Sequence, residues 1–179
     1  MPNKKLIKLA QKRIANISIS ASAARGMRPN TIGKARKYLI HLKLSTFSNV
    51  QNENVFIKIL NHRTNYLRNK LPKNGRKWGS ARKFLNIFLE ECFYNRYICK
   101  EYGLGRLRRW LEVPLDRQVT AKLKKEQRRQ RAKELPRWKG VIHLQPADNK
   151  RFQDFAKQVA QKKGKGVARV HLDLFYWRS

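Results

Sequence analysis

Apolar residues recur at helical spacing along most of the chain, and each stretch ends at a residue that stops helices. With Asn30 or Thr31 as cap, Ile32, Tyr38, Leu39 and Leu42 share one side of a first segment. A second spans 52–70, with Val55, Phe56, Ile59, Leu60 and Leu67 in register, and Pro72 and Gly75 break the chain after it. Residues 80–102 are the most apolar. Phe84, Leu85, Ile87, Phe88, Leu89, Cys92, Phe93, Tyr97 and Ile98 surround much of a helix, so this is the expected central helix, stopped by Gly103.

A short helix over 106–111 is expected before Pro114, and a longer one over 115–133 turns Val119 and Leu123 inward. After a loop marked by Pro136, Gly140 and Pro146, residues 149–162 place Phe152, Phe155, Ala156 and Val159 on one face. Residues 168–177 suit a helix or a strand equally. The pattern is all-α, with a single helical domain over 30–179. Residues 1–29 read as a basic, partly flexible arm, because 17–26 is Ser/Ala-rich.

Charge narrows the function. The chain has 179 residues with 43 Lys and Arg against 11 Asp and Glu, a formal net charge of +32. A compact domain so charged repels itself unless an anion neutralises it. A phosphate backbone is the usual partner, through counterion release. Nucleic acid, DNA with RNA as the alternative, is therefore the expected ligand of what should be a monomer. No apolar run is long enough to cross a bilayer, so no membrane role is expected. The start lacks the apolar stretch of a secretory signal. An intracellular place, cytoplasm or nucleoid, follows. The acid-free basic start, with no Asp or Glu before Glu53, also has the pattern of an organelle transit peptide, but the basic excess continues along the whole chain.

Two cysteines, Cys92 and Cys99, are too few for a disulfide framework, and their spacing places both on one face of a helix. The four histidines lie far apart, no zinc spacing exists, and no metal or organic cofactor is expected. Glu90, Glu91, Glu101, Glu126 and Glu134 sit among basic residues and are expected to form surface pairs. Asp116, at a predicted helix start, reads as an N-cap or as a functional carboxylate. Trp78 and Trp177 are candidates for stacking on bases or for packing. Trp110 and Trp138, beside Arg109 and Arg137, suit cation–π pairs.

The stretch Leu115-Asp116-Arg117-Gln118-Val119 resembles the Leu-Asp-Arg-His-Ile/Val element of helix-hairpin-helix DNA glycosylases, with the compact 8-oxoguanine glycosylases of archaea and bacteria nearest in pattern. His171-Leu172-Asp173-Leu174-Phe175-Tyr176-Trp177 is similar to their Leu-Asp-Leu-x-x-Trp segment. Gly79-Ser80-Ala81-Arg82-Lys83 resembles the hairpin Gly-x-Gly-x-Lys, with Ala81 replacing the second glycine.

The resemblance implies a DNA-repair glycosylase with AP lyase activity on an oxidised purine. Lys83 would be the nucleophile and Asp116 the catalytic carboxylate. Such enzymes flip the damaged nucleotide out of the duplex, attack the sugar with a neutral Lys amine crowded by other cations, here Arg76, Lys77 and Arg82, and form a Schiff base. Gly79 and Ala81 would approach a phosphate. Arg76, Lys77, Arg82, Arg117, Lys122, Lys124, Lys125, Arg128 and Trp177 complete the expected nucleic-acid contacts.

Two features depart from the pattern. Lys83 and Asp116 stand 116 − 83 = 33 residues apart, which requires an insertion such as 96–110. The string Leu71-Pro72-Lys73-Asn74-Gly75-Arg76-Lys77 resembles the hairpin of the endonuclease III branch and makes Lys77 a rival nucleophile. A non-enzymatic basic module that binds DNA or RNA, as in chromosome-, recombination- or ribosome-associated proteins, is the alternative. In an enzyme Lys83 and Asp116 should converge beside an opening for a base. In a module they should stand apart, with Asp116 simply capping its helix.

Overall fold

In the computed structural model, which describes residues 3–21, 23, 24, 27 and 29–176, the regular elements are all helical. In chain order they are α1 (Lys4–Ser18), α2 (Thr31–Ile40), α3 (Glu53–Lys70), α4 (Trp78–Tyr94), α5 (Arg96–Tyr102), α6 (Arg117–Arg129), α7 (Pro146–Lys163) and α8 (Leu172–Tyr176), with short 3₁₀ turns between several of them. The described part of the ambiguous C-terminal stretch is helical, as a 3₁₀ turn (Arg169–His171) leading into α8. No described helix is long and apolar enough to cross a membrane.

The central helix lies where the hydrophobic pattern puts it. α4 packs against α1, α2, α3, α5 and α7, and buries Phe84, Leu85, Phe88, Leu89 and Cys92. The expected single helix over 80–102 is divided at Asn95, whose side chain accepts from the Ile98 N–H at 3.1 Å and starts α5. This cap outweighs the apolar run across it. Cys92 and Cys99 consequently sit on different helices, both as free thiols.

The N-terminal arm differs from expectation. Residues 4–18 form α1, packed on α4 and α2. Ile7, Gln11, Ile14, Ala15 and Ser18 recur every three or four positions on its buried face. Gln11 Nε2 donates to the carbonyls of Leu39, Ile40 and Leu42, at 3.1, 3.2 and 2.8 Å, and so satisfies the end of α2. The amphipathic spacing outweighs the basic composition that suggested an arm.

α3 and α4 are joined by a tight turn over 71–77 into a helical hairpin. Gly75 N donates to the Pro72 carbonyl at 2.7 Å, and Lys77 N to that of Gly75 at 2.7 Å. The turn thus occupies the Leu71-to-Lys77 register, while 79–83 is already helical. Gly79 serves packing. A Cβ there would lie 2.1 Å from the Val141 carbonyl oxygen and 2.7 Å from Leu144 Cβ. Gly79→Ala is expected to lower stability by about 1–3 kcal/mol through forced displacement of residues 141–144, measured by urea denaturation. An unchanged midpoint would contradict this close approach.

Two hydrophobic clusters result. One is built on α1 to α5. The other joins Trp78, Leu115, Val119, Leu123, Phe152, Ala156, Leu172 and Tyr176. Between them runs a buried polar seam. Glu112 receives Arg82 Nε at 2.8 Å and Nη2 at 3.0 Å, and also the amides of Asn86 and Asn149. Arg82 donates further to Thr64 Oγ1 at 2.9 Å. Arg169, itself 3% exposed, binds the carbonyls of Trp110 and Leu111 and reaches Glu53.

Candidate functional site

The site grows from one flank of α4. Lys83, Glu90 and Tyr94 fall at i, i+7 and i+11, close to one line along the helix, with Glu91 alongside. Lys83 is partly buried, and its Nζ donates to the Ala23 carbonyl at 3.3 Å. Asp173, from the first turn of α8, interacts electrostatically with Lys83, Asp116 and Glu91. Three stretches distant in sequence are therefore electrostatically coupled through one carboxylate.

Asp116 is the N-cap of α6, and its Oδ1 accepts from the Val119 N–H at 2.9 Å. The residues between Lys83 and Asp116 that exceed a helix and a turn fold as α5 and the 3₁₀ turn Leu104–Leu107.

This corner gathers carboxyl groups on a strongly basic chain. Burial, then Asp116 and Glu91, push the Asp173 carboxyl up to about 6, against the pull of Lys83. Burial, then Asp173 and Glu91, raise Glu90 to about 9. Glu90 is 6% exposed, and its Oε1 accepts no hydrogen bond. The expected surface pairing thus fails for Glu90, whereas Glu126 does pair with Arg129 at 2.8 Å. The Tyr94 hydroxyl is raised by burial and by Glu90, Asp173 and Glu91. The described residues include no group of three His, Cys, Asp or Glu able to hold a metal ion.

A sign follows for stability. Between about 4.5 and about 9, folded Glu90 keeps a proton that the unfolded chain has lost. The unfolded state binds fewer protons there, so stability falls as pH rises through that window. Asp173 adds to the fall between its ordinary 3.8 and about 6. In Glu90→Gln the melting temperature is expected to decline much less from pH 5 to pH 9 than in the parent. Equal declines would show that Glu90 is not a buried acid.

The other expected residues divide clearly. Arg76 and Lys77, on the hairpin, are exposed, as are Arg117, Lys125 and Arg128 on α6, with Lys122 and Lys124 half-buried. Their side chains reach the surface. Gly79, Ala81 and Arg82 do not. Gly79 is closed over by residues 141–144, Ala81 is fully buried, and Arg82 is tied to Glu112. These three are corrected from nucleic-acid contacts to core residues, and Arg82 is removed from the cations crowding Lys83. Trp177 lies outside the described residues. Trp78 is 9% exposed with the Arg82 guanidinium 5.0 Å from its ring, and Trp110 is buried beneath Arg109 at 4.6 Å. Trp138 packs edge-on against Phe152.

Sequence reasoning passed over Glu112, Arg169 and the role of Asp173. Glu112 carried a usable signal, an acid inside the apolar run Trp110-Leu111-Glu112-Val113-Pro114-Leu115. Asp173 lies within the stretch His171 to Trp177, which by itself assigns it no task. A groove of about 710 Å³ between α3 and α7 is floored by Trp78, Arg82 and Glu112. Neither Lys83 nor Asp116 lines it. No family model, no curated protein and no solved structure matches the chain.

Proposed function

We propose that this protein binds DNA and excises an oxidised purine through Lys83, with subsequent strand cleavage. The observation that carries the reading is the electrostatic coupling of Asp173 to both Lys83 and Asp116, although the groove among the described residues is lined by neither. Asp116 and Asp173 belong to stretches that resemble the glycosylases, whereas Lys83 rests on its place beside Asp173 alone, because the turn over 71–77 is the register of the rival Lys77. The net charge of +32 and the exposed cations of the hairpin and α6 supply backbone affinity.

A nucleophilic amine must be neutral, and a neighbouring carboxylate favours the ammonium form. In this reading Asp173 resolves the conflict by taking the proton, for which its raised pKa near 6 suits it better than an ordinary carboxylate. Lys83 Nζ then attacks the sugar carbon as its bond to the damaged base breaks, and the base leaves with the proton held by Asp173. Opening of the ring carbon–oxygen bond gives the Schiff base, and loss of a proton from the next sugar carbon expels the 3′ phosphate. Asp116 opposes the positive charge that develops on the sugar.

The capping bond of Asp116 favours the second reading, a non-enzymatic nucleic-acid-binding module. Asp116→Asn separates the two, since Asn caps helices as well as Asp. If Asp116 is catalytic, excision is expected to fall roughly 10²-fold or more with stability little changed. The direct test is borohydride trapping on duplexes with and without a single 8-oxoguanine. A covalent adduct specific to the damaged duplex supports the enzyme. Equal, steeply salt-dependent binding to both duplexes, with no adduct on damaged or abasic DNA, leaves the module.

A further inference from the structure

Beside the carboxylates, α4 and the Arg169–His171 turn bring three rings together. Phe93 and Tyr94 have centroids 5.0 Å apart, Phe93 stacks on His171 at 6.0 Å and 30°, and Tyr94 lies 6.3 Å from His171. Tyr94 is 42% exposed, with Phe93 and His171 half-buried, so the group is partly open to solvent. The His171 ring is held in place, because its Nδ1 accepts from the Ala168 N–H at 3.1 Å. That bond puts the ring proton of neutral imidazole on Nε2.

We propose that Phe93, Tyr94 and His171 form a stacking shelf for an unpaired base of a bound nucleic acid. Packing does not require an exposed tyrosine against a histidine so fixed, but planar ligands do benefit from a rigid aromatic surface. Burial and the Arg108 charge hold His171 below its ordinary value, so at neutral pH it stacks as an uncharged ring. Arg108 is exposed and close enough to affect His171, which offers a cation to the phosphate of the same nucleotide. A partner with planar faces and backbone anions is an unpaired nucleotide. In an intact duplex the base faces are already stacked and unavailable.

The shelf is also distinct from the lysine. Tyr94 stands eleven residues beyond Lys83 on one helix, roughly 16 Å along its axis at 1.5 Å per residue. That backbone separation favours a base other than one whose sugar is at Lys83. The inference requires nucleic-acid binding but not lyase chemistry.

The test uses the full chain with a single-stranded oligonucleotide carrying one 2-aminopurine, and a duplex of equal length. Anisotropy reports affinity, and quenching of 2-aminopurine reports stacking. Tyr94→Leu, which keeps bulk but removes the ring, is expected to weaken single-strand binding roughly ten-fold and abolish quenching, with duplex affinity changed by less than roughly two-fold. Tyr94→Phe should retain both signals, and His171→Ala should reduce quenching. Equal losses on single strand and duplex, or no quenching by the parent chain, would overturn the shelf. Intact quenching without borohydride trapping would remove the lyase reading and leave the shelf, and the reverse result would do the opposite.

Discussion

Arg82→Met is expected to destabilise the fold by about 3–5 kcal/mol, one of the largest effects of any single substitution here. The cause is what remains behind. Glu112 is 4% exposed and takes two hydrogen bonds from Arg82 and others from Asn86 and Asn149. Burial pushes its carboxyl upward, yet Arg82, Arg169 and Asn86 together hold it below its ordinary value. Without Arg82 this charge stays buried with only amides and the more distant Arg169 to oppose it. Thr64 Oγ1 also loses its donor.

Glu112→Leu has the mirror defect, a buried guanidinium with no counter-ion. The double variant removes both charges but leaves the amides of Asn86 and Asn149 without their acceptor. It should recover part of the loss, so the two single effects should not add. Urea denaturation of the four proteins gives the coupling directly. Single losses below about 1 kcal/mol would mean that the seam is hydrated and the pair behaves like a surface ion pair.

The second large effect concerns chemistry. Lys83→Gln is expected to abolish excision and trapping, a loss of roughly 10³-fold or more, with binding to undamaged duplex nearly unchanged. Lys83 is partly buried at the edge of a carboxylate cluster, which is a poor place for a phosphate contact. Lys77→Gln should do the reverse. Lys77 is exposed at the N-cap of α4 on the hairpin, so its loss should weaken all duplexes alike and lower the salt slope by about one. Loss of chemistry in Lys77→Gln, with Lys83→Gln active, would transfer the nucleophile to the hairpin.

Much of the architecture was legible because apolar spacing and stop residues are local signals. α2, α3, α6 and α7 lie within a few residues of their expected spans. The misses have physical causes. Asn95 divides a long apolar run through one side-chain hydrogen bond, which hydrophobicity cannot register. The role of α1 depends on Gln11 meeting the end of α2, a contact across 28 to 31 residues. The hairpin register was open because two strings each end in a basic residue. Close packing of Gly79 under residues 141–144 keeps the turn to 71–77, and that is a tertiary fact.

The candidate site was half legible. Lys83 and Asp116 could be named from motif likeness, but not Asp173 as the residue that joins them. Glu90 was read as a surface acid because charge patterning does not reveal which flank of a nearly all-buried helix faces the interior.

The central claim is that Lys83 attacks a sugar carbon. The most direct measurement is to reduce the adduct formed on an 8-oxoguanine duplex, digest the protein, and locate the modified lysine by mass spectrometry. The account predicts a single modified peptide carrying the sugar remnant on Lys83, with none on undamaged duplex. A remnant on Lys77, or scattered over the exposed lysines of α6 regardless of damage, would contradict it.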